Sequence, residues 1–181
     1  MKILITGGAG YIGSKLIEKL IDKEFSITCI DNLMFDQKNL TPMINDKVNF
    51  IKGDVRDKNL MENLYKSADI IIPLAAIVGA PLSAKMPLET EEINFGSIDH
   101  MCKNLSKEQR VIMPVTNSGY GIGKKDEMCD ENSPLNPISA YGQTKVRAEK
   151  VIMERENSIS YRLATVFGTS EGMRVDLLVN N

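Results

Sequence analysis

Lys2-Ile3-Leu4-Ile5-Thr6-Gly7-Gly8-Ala9-Gly10-Tyr11-Ile12-Gly13 is the stretch whose reading decides the fold. An apolar run of strand length, Ile3–Thr6, meets four glycines and passes at once into Tyr11–Asp22, where Ile12, Leu16, Ile17 and Leu20 recur at helical spacing. Gly7 permits a tight turn, Gly10 lets the backbone approach a diphosphate, and Gly13 lets helix and strand pack closely. A diphosphate placed there would meet unpaired N–H groups at a helix N-terminus, where the dipole favours negative charge.

The rest of the chain repeats this alternation. Further strand-like runs lie at Ser26–Ile30, Val48–Ile51, Ile70–Pro73, Val111–Val115 and Ile159–Leu163. Between them, Asp57–Lys66, Leu88–Leu105 and Ala140–Glu154 read as helices, with Asp57 a good N-cap ahead of Leu60, Met61 and Leu64. Strands alternating with helices predict an α/β fold, a doubly wound parallel sheet with crossover helices. In the longest helix Leu88, Phe95, Ile98, Cys102 and Leu105 share one stripe, which leaves Met101, with Val151 of the following helix, as candidates for an outer face. The least regular stretch, Asn117–Ser139, is long for a loop in a compact domain, and such loops are often functional.

Asp31 closes the second strand, where a ribose-binding carboxylate belongs in a dinucleotide fold. It accepts hydrogen bonds from both ribose hydroxyls and repels a 2′-phosphate, and no arginine lies between Asp31 and Lys52 to offset that repulsion. NAD is therefore favoured over NADP.

Tyr141 and Lys145 stand one helical turn apart, so their side chains leave the same face. A phenol titrates near ~10 in water, and acid/base work near neutrality needs a lower value. An adjacent ammonium supplies that shift by favouring the phenolate. Thr116 ends the fifth strand, at the carboxyl edge where open α/β sheets bind ligands; its hydroxyl suits either a substrate oxygen or the cap of a turn.

Bulk composition narrows the classes. The chain has 181 residues, enough for one domain with a sizeable core or one domain and the beginning of a second, and its net charge of −2 offers no electrostatic case for nucleic acid or an anionic membrane. Three scattered cysteines (Cys29, Cys102, Cys129) and a single histidine, His100, make a metal site unexpected. No apolar run approaches the ~18 residues of a membrane span, and glycines at 7 and 8 interrupt the first one, so a cytoplasmic protein is expected.

Together these residues resemble the extended short-chain dehydrogenase/reductases, specifically the NAD-dependent epimerase/dehydratase family acting on nucleotide sugars. Thr6–Gly13 matches the family's TGxxGxxG loop, and Ile30–Leu33 is similar to the adenosine-ribose segment of UDP-galactose 4-epimerases. Gly53–Asp57 resembles GD[IV]RD, Pro73–Ala76 resembles HLAA, and Arg162–Gly168 resembles the Rxx[NT]x[YF]G segment beside nicotinamide and sugar. The resemblance implies cofactor contacts from Gly7, Gly10, Tyr11, Ile12, Asp31, Asn32, Asp54, Val55, Leu74, Ala75, Ala76, Asn94 and Lys145, with Asn94 also supporting the loop after the fourth strand. It implies a catalytic triad of Thr116, Tyr141 and Lys145, substrate contacts from Thr116, Ser118, Thr165 and Asn180, and no metal.

The departures carry information. Pro73 stands for the usual His, and Thr165 for a common Asn. The family's 4,6-dehydratases carry an Asp-Glu acid/base pair after the triad hydroxyl, where this chain has Asn117-Ser118; neither titrates near neutrality, which disfavours dehydration. The expected activity is nucleotide-sugar epimerisation through transient oxidation at a carbinol, by a homodimer. A nucleotide-sugar reductase or dehydrogenase, or a truncated non-catalytic NAD-binding module, stays open. The expected organisation is an NAD-binding domain over 1–170 with the triad, and over 171–181 the start of a truncated substrate-binding lobe.

Overall fold

A computed structural model describes residues 1–35, 46–123, 128–170 and 172–173. Its centre is a six-stranded parallel sheet in the order β3-β2-β1-β4-β5-β6. The strands are β1 (Lys2–Thr6), β2 (Ser26–Asp31), β3 (Val48–Lys52), β4 (Ile70–Pro73), β5 (Arg110–Thr116) and β6 (Ser158–Leu163). The helices are α1 (Tyr11–Leu20), α2 (Lys58–Tyr65), α3 (Ala80–Lys85), α4 (Pro87–Glu91), α5 (Ser97–Asn104) and α6 (Ala140–Met153). The order reverses beside β1, which creates a crevice at the carboxyl ends of β1 and β4.

Strand alternation explains the two cores. Ile3 and Ile5 of β1 face one way, into a cluster with Ile17 of α1, Ile27 and Cys29. Leu4 faces the other way, into a larger cluster with Met61 of α2, Ile98 and Met101 of α5, and Ala148 and Ile152 of α6. A strand buried on both faces reads as an unbroken apolar run, which is how β1 reads. Asp57 caps α2 as its sequence suggests, its carboxylate accepting from Leu60 N at 3.1 Å.

The long helix differs from expectation. Its span divides into α4, a π-helical turn over Glu92–Gly96, and α5. A π turn accommodates an extra residue, and each residue turns a helix by about 100°, so the apolar stripe changes phase across it. Leu88 is 75% exposed as a result, while Ile93, Ile98 and Met101 are buried. Met101 is thus a core residue and not part of an outer face; Val151 is half-buried. The short helix α3 is an element the periodicity did not show.

Candidate functional site

The glycine loop is shaped by close approaches. Gly7 has φ +70, and a Cβ there would lie 2.5 Å from Ala75 N. Its own N–H donates to Ile30 O at 2.8 Å, which seats the turn on the end of β2. A Cβ on Gly13 would lie 2.5 Å from Gly7 O, so this glycine packs α1 onto the loop itself. Gly10 is different, because a Cβ there would meet only Gly7 O at 3.2 Å and otherwise faces open space. It is the N-cap of α1 and makes no side-chain cap bond, so the first N–H groups of the helix are left for a ligand. The segment after β6 folds back over this turn: Tyr11 Oη donates to Gly168 O at 2.6 Å, and Ser170 Oγ donates to Tyr11 O at 2.6 Å.

A cleft of about 420 Å³ runs from this loop along the carboxyl edge of the sheet. At one end it is lined by Asp31, Asn32 and Val55, with Met34 and Phe35 at its mouth; Gly7, Gly10, Tyr11, Ile12, Leu74, Ala75 and Ala76 form its middle. Thr116, Ser118, Tyr141, Lys145 and Thr165 line the other end. Asp54 and Asn94 stand outside the lining, and Asn180, like most of 171–181, lies outside the described residues. Among the described residues, no three His, Cys, Asp or Glu side chains gather as a metal would require.

Asp31 is held by the backbone. Oδ2 accepts from Ala9 N at 3.0 Å and Oδ1 from Leu33 N at 2.9 Å. Burial raises its pKa against these two bonds, and each oxygen keeps a lone pair for a ligand hydroxyl. Asp54 sits behind Asn32, accepting from Asn32 Nδ2 at 3.1 Å and from Arg56 Nε and Nη2 at 2.9 and 2.8 Å. That arginine holds the Asp54 carboxyl down at about 2, and it also pairs with Glu92 of the π turn at 3.0 Å. The fold thus brings an arginine near the Asp31 end of the cleft that the interval from Asp31 to Lys52 did not contain, already engaged by two carboxylates.

At the other end, α6 presents Tyr141 and Lys145 to the cleft one turn apart. Lys145 is 5% exposed, and desolvation brings its ammonium down to about 8 against the attraction of Glu149. Thr116 has both features its position suggested: it lines the cleft, and its Oγ1 accepts from Ser118 N at 3.1 Å, capping the 3₁₀ turn Asn117–Tyr120. Its hydroxyl proton is still free to donate.

Side chains from distant elements hold this end together. Asn94 is 1% exposed; its Oδ1 accepts from Ile77 N at 2.8 Å and its Nδ2 donates to Ile77 O at 2.9 Å, clamping the loop after β4. Nδ2 also reaches Thr144 Oγ1 of α6 at 3.4 Å. Ser83 Oγ of α3 accepts from Tyr141 N at 3.2 Å. Sequence reasoning missed Ser83 and Thr144. A buried serine in an unexpected short helix leaves no pattern to find, whereas Thr144 sits inside the Tyr–Lys motif and was available. Also missed were the apolar wall residues Ile77, Val78 and Ile93, although Ile77 and Val78 directly extend the Pro73–Ala76 segment.

A Rossmann sheet, a glycine loop feeding α1, a carboxylate closing β2 and a Tyr–Lys pair on one cleft define a dinucleotide-binding domain of the short-chain dehydrogenase/reductase type. The chain belongs to the NAD dependent epimerase/dehydratase family, which it matches over residues 3–178. It is 34% identical over 174 residues to a putative UDP-glucose 4-epimerase of Methanocaldococcus jannaschii, covering 92% of this chain and 56% of that protein. It is 28% identical over 176 residues to the UDP-glucose 4-epimerase of Lactobacillus helveticus, covering 94% and 52%. Its structure is similar to that of UDP-glucuronic acid 4-epimerase from Bacillus cereus in complex with UDP-glucuronic acid and NAD, with a TM-score of 0.86 and 26% identity, over 99% of this chain and 61% of that one. The chain spans about half the length of the curated relatives it matches.

Proposed function

We propose that this chain is the NAD-binding and catalytic part of a nucleotide-sugar epimerase acting by transient oxidation of a sugar hydroxyl. The observation that carries the reading is that Tyr141 and Lys145 open onto the same cleft as the glycine loop and Asp31. The first N–H groups of α1 hold the diphosphate, Asp31 takes the adenosine-ribose hydroxyls, and Asn32 and Val55 flank the adenine. Leu74, Ala75 and Ala76 pass beneath the diphosphate. When bound there, NAD supplies a hydride acceptor that later returns the hydride. Tyr141 takes the proton from the sugar hydroxyl and gives it back, Lys145 favours its phenolate and holds the nicotinamide ribose, and Thr116 orients the substrate oxygen.

Asn117 and Ser118 support epimerisation over dehydration, since neither provides the acid or base that eliminating water requires. In this reading residues 1–170 hold cofactor and triad, and residues from 171 onward begin a substrate lobe in which Asn180 touches substrate, with Ser118 and Thr165 facing the sugar. The partner is a second copy of the chain, meeting it through the outer faces of α4, α5 and α6, where Leu88 is exposed; a monomer by light scattering at high micromolar concentration would remove that part.

The test is to titrate the purified chain with NAD by calorimetry and follow UDP-glucose to UDP-galactose exchange by NMR. NAD should bind, with no stoichiometric NADH formed and exchange at least ~10³-fold below a full-length relative, because orientation of the nucleotide by a remote lobe is worth several kcal/mol. Failure to bind NAD would overturn the reading, and stoichiometric NADH would replace it with a net dehydrogenase.

A further inference from the structure

One buried ion pair lies next to the cleft with no part in the chemistry above. Glu149 of α6 is one turn beyond Lys145 and 8% exposed. Arg162 of β6 donates to it from Nε, at 3.0 Å to each carboxylate oxygen, and Ser160 Oγ donates at 2.7 Å. Arg162 in turn reaches Tyr120 Oη at 3.3 Å and Glu131 O at 3.0 Å, tying α6 and β6 to the loop that follows Thr116.

We propose that Glu149 is a positioning residue that keeps Lys145 charged, and that Arg162 sets how much of the Glu149 charge Lys145 feels. The proposal rests on the reading of Lys145 as the tyrosine's partner. Charges at i and i+4 share one helix face, so Glu149 lies on the Lys145 side of α6. A lone buried lysine would shed its proton to escape desolvation, and the carboxylate one turn away opposes that. Left to itself, a buried carboxylate would grip Lys145 more strongly; an arginine whose Nε–H is shared between both carboxylate oxygens, and which has its own anchors, divides the charge.

Most other charged groups on the elements packed against α6 have partners of their own. Glu91 of α4 pairs with Arg147 at 2.8 Å, Glu92 of the π turn with Arg56, and Asp99 of α5 with Lys103 at 2.6 Å. His100 of α5 faces Glu62 of α2 at 3.3 Å, Tyr120 faces Arg162, and Lys85 ends α3. Among the described groups, Glu149 is the one whose charge acts on Lys145.

The experiment reads Lys145 directly, without cofactor or turnover. Lysine labelled with ¹³C at Cε is followed by NMR through a pH titration, the Lys145 signal being assigned by its loss in Lys145→Arg. In Glu149→Gln its midpoint should fall by about one pH unit, the usual size for losing one nearby charge. In Arg162→Gln it should rise, since Glu149 then acts undivided. A purely structural pair would move neither midpoint, or both in the same direction, and either result overturns the proposal. If Arg162→Gln does not fold, the double variant Glu149→Gln/Arg162→Gln removes both charges of the pair together, so neither of them is left without the other, and must titrate below wild type; a midpoint at or above wild type overturns the proposal. Opposite shifts in a chain that fails to bind NAD would leave the pair standing and remove the proposed function alone.

Discussion

The half of the molecule built on β1–β3 and the half built on β4–β6 make their parts of the cleft by different means. In the first half the backbone does the work: Gly7 is held by Ile30 O, Asp31 is pinned by two backbone N–H groups, and α1 opens with free N–H groups. In the second half, side chains far apart in sequence hold α6 and the loop after β4 in place: Asn94 clamps Ile77 and reaches Thr144, Ser83 meets Tyr141, and Glu149 is gripped from β6. A backbone-made site needs only permissive residues at the right spacing. A side chain-made site needs partners delivered by the fold, and its residue types can occur anywhere.

If the halves are separable, variants should injure one function at a time. The largest effect is expected from Tyr141→Phe, which should lower turnover ~10²–10⁴-fold in a catalytically competent form, about 3–5 kcal/mol in barrier, while NAD affinity by calorimetry barely changes. A parallel loss of NAD affinity would break the separation.

Asn94→Ala should sharpen it. The variant strands the N–H and C=O of Ile77, each worth about 1–3 kcal/mol when buried without a partner, so urea unfolding should show a loss of about 2–4 kcal/mol. Gly10→Ala is its counterpart in the first half. Gly10 has φ −75, and an added Cβ would press on Gly7 O alone, at 3.2 Å, so stability should stay within about 1 kcal/mol of wild type while NAD affinity drops at least tenfold. Equal destabilisation by the two variants would count against the contrast.

Lys145→Met tests the cost of the buried ammonium. Lys145 titrates at about 8 in the fold, below the ordinary 10.5, so the unfolded chain binds the proton more tightly and the charge destabilises the fold below pH 8. The variant should therefore be more stable than the unliganded wild type by about 1–3 kcal/mol at pH 7, a gain that fades between pH 8 and 10.5. An unchanged difference across that range would show that the lysine is not desolvated. The smallest effect is cofactor choice. NAD should bind at least tenfold more tightly than NADP, about 1.4 kcal/mol, and equal affinities would mean that Arg56 leaves its two carboxylates to meet a 2′-phosphate.

Much of this was legible in the chain itself. The strands follow from apolar runs that must be buried on both faces, the first turn from Gly7 and Gly13, where a Cβ would collide with backbone, and the pairing of Tyr141 with Lys145 from helical geometry. Each is a short-range rule in which neighbours in sequence are neighbours in space. Tertiary structure decided what those rules do not reach. The π turn at Glu92–Gly96 put Met101 in the core and Leu88 at the surface, against the straight-helix pattern. The fold also carried Arg56 to Asp54 and Glu92, and Arg162 to Glu149. Charge pairing and desolvation depend on distance through space, and parallel crossovers bring together residues whose separation along the chain gives no sign of their contact.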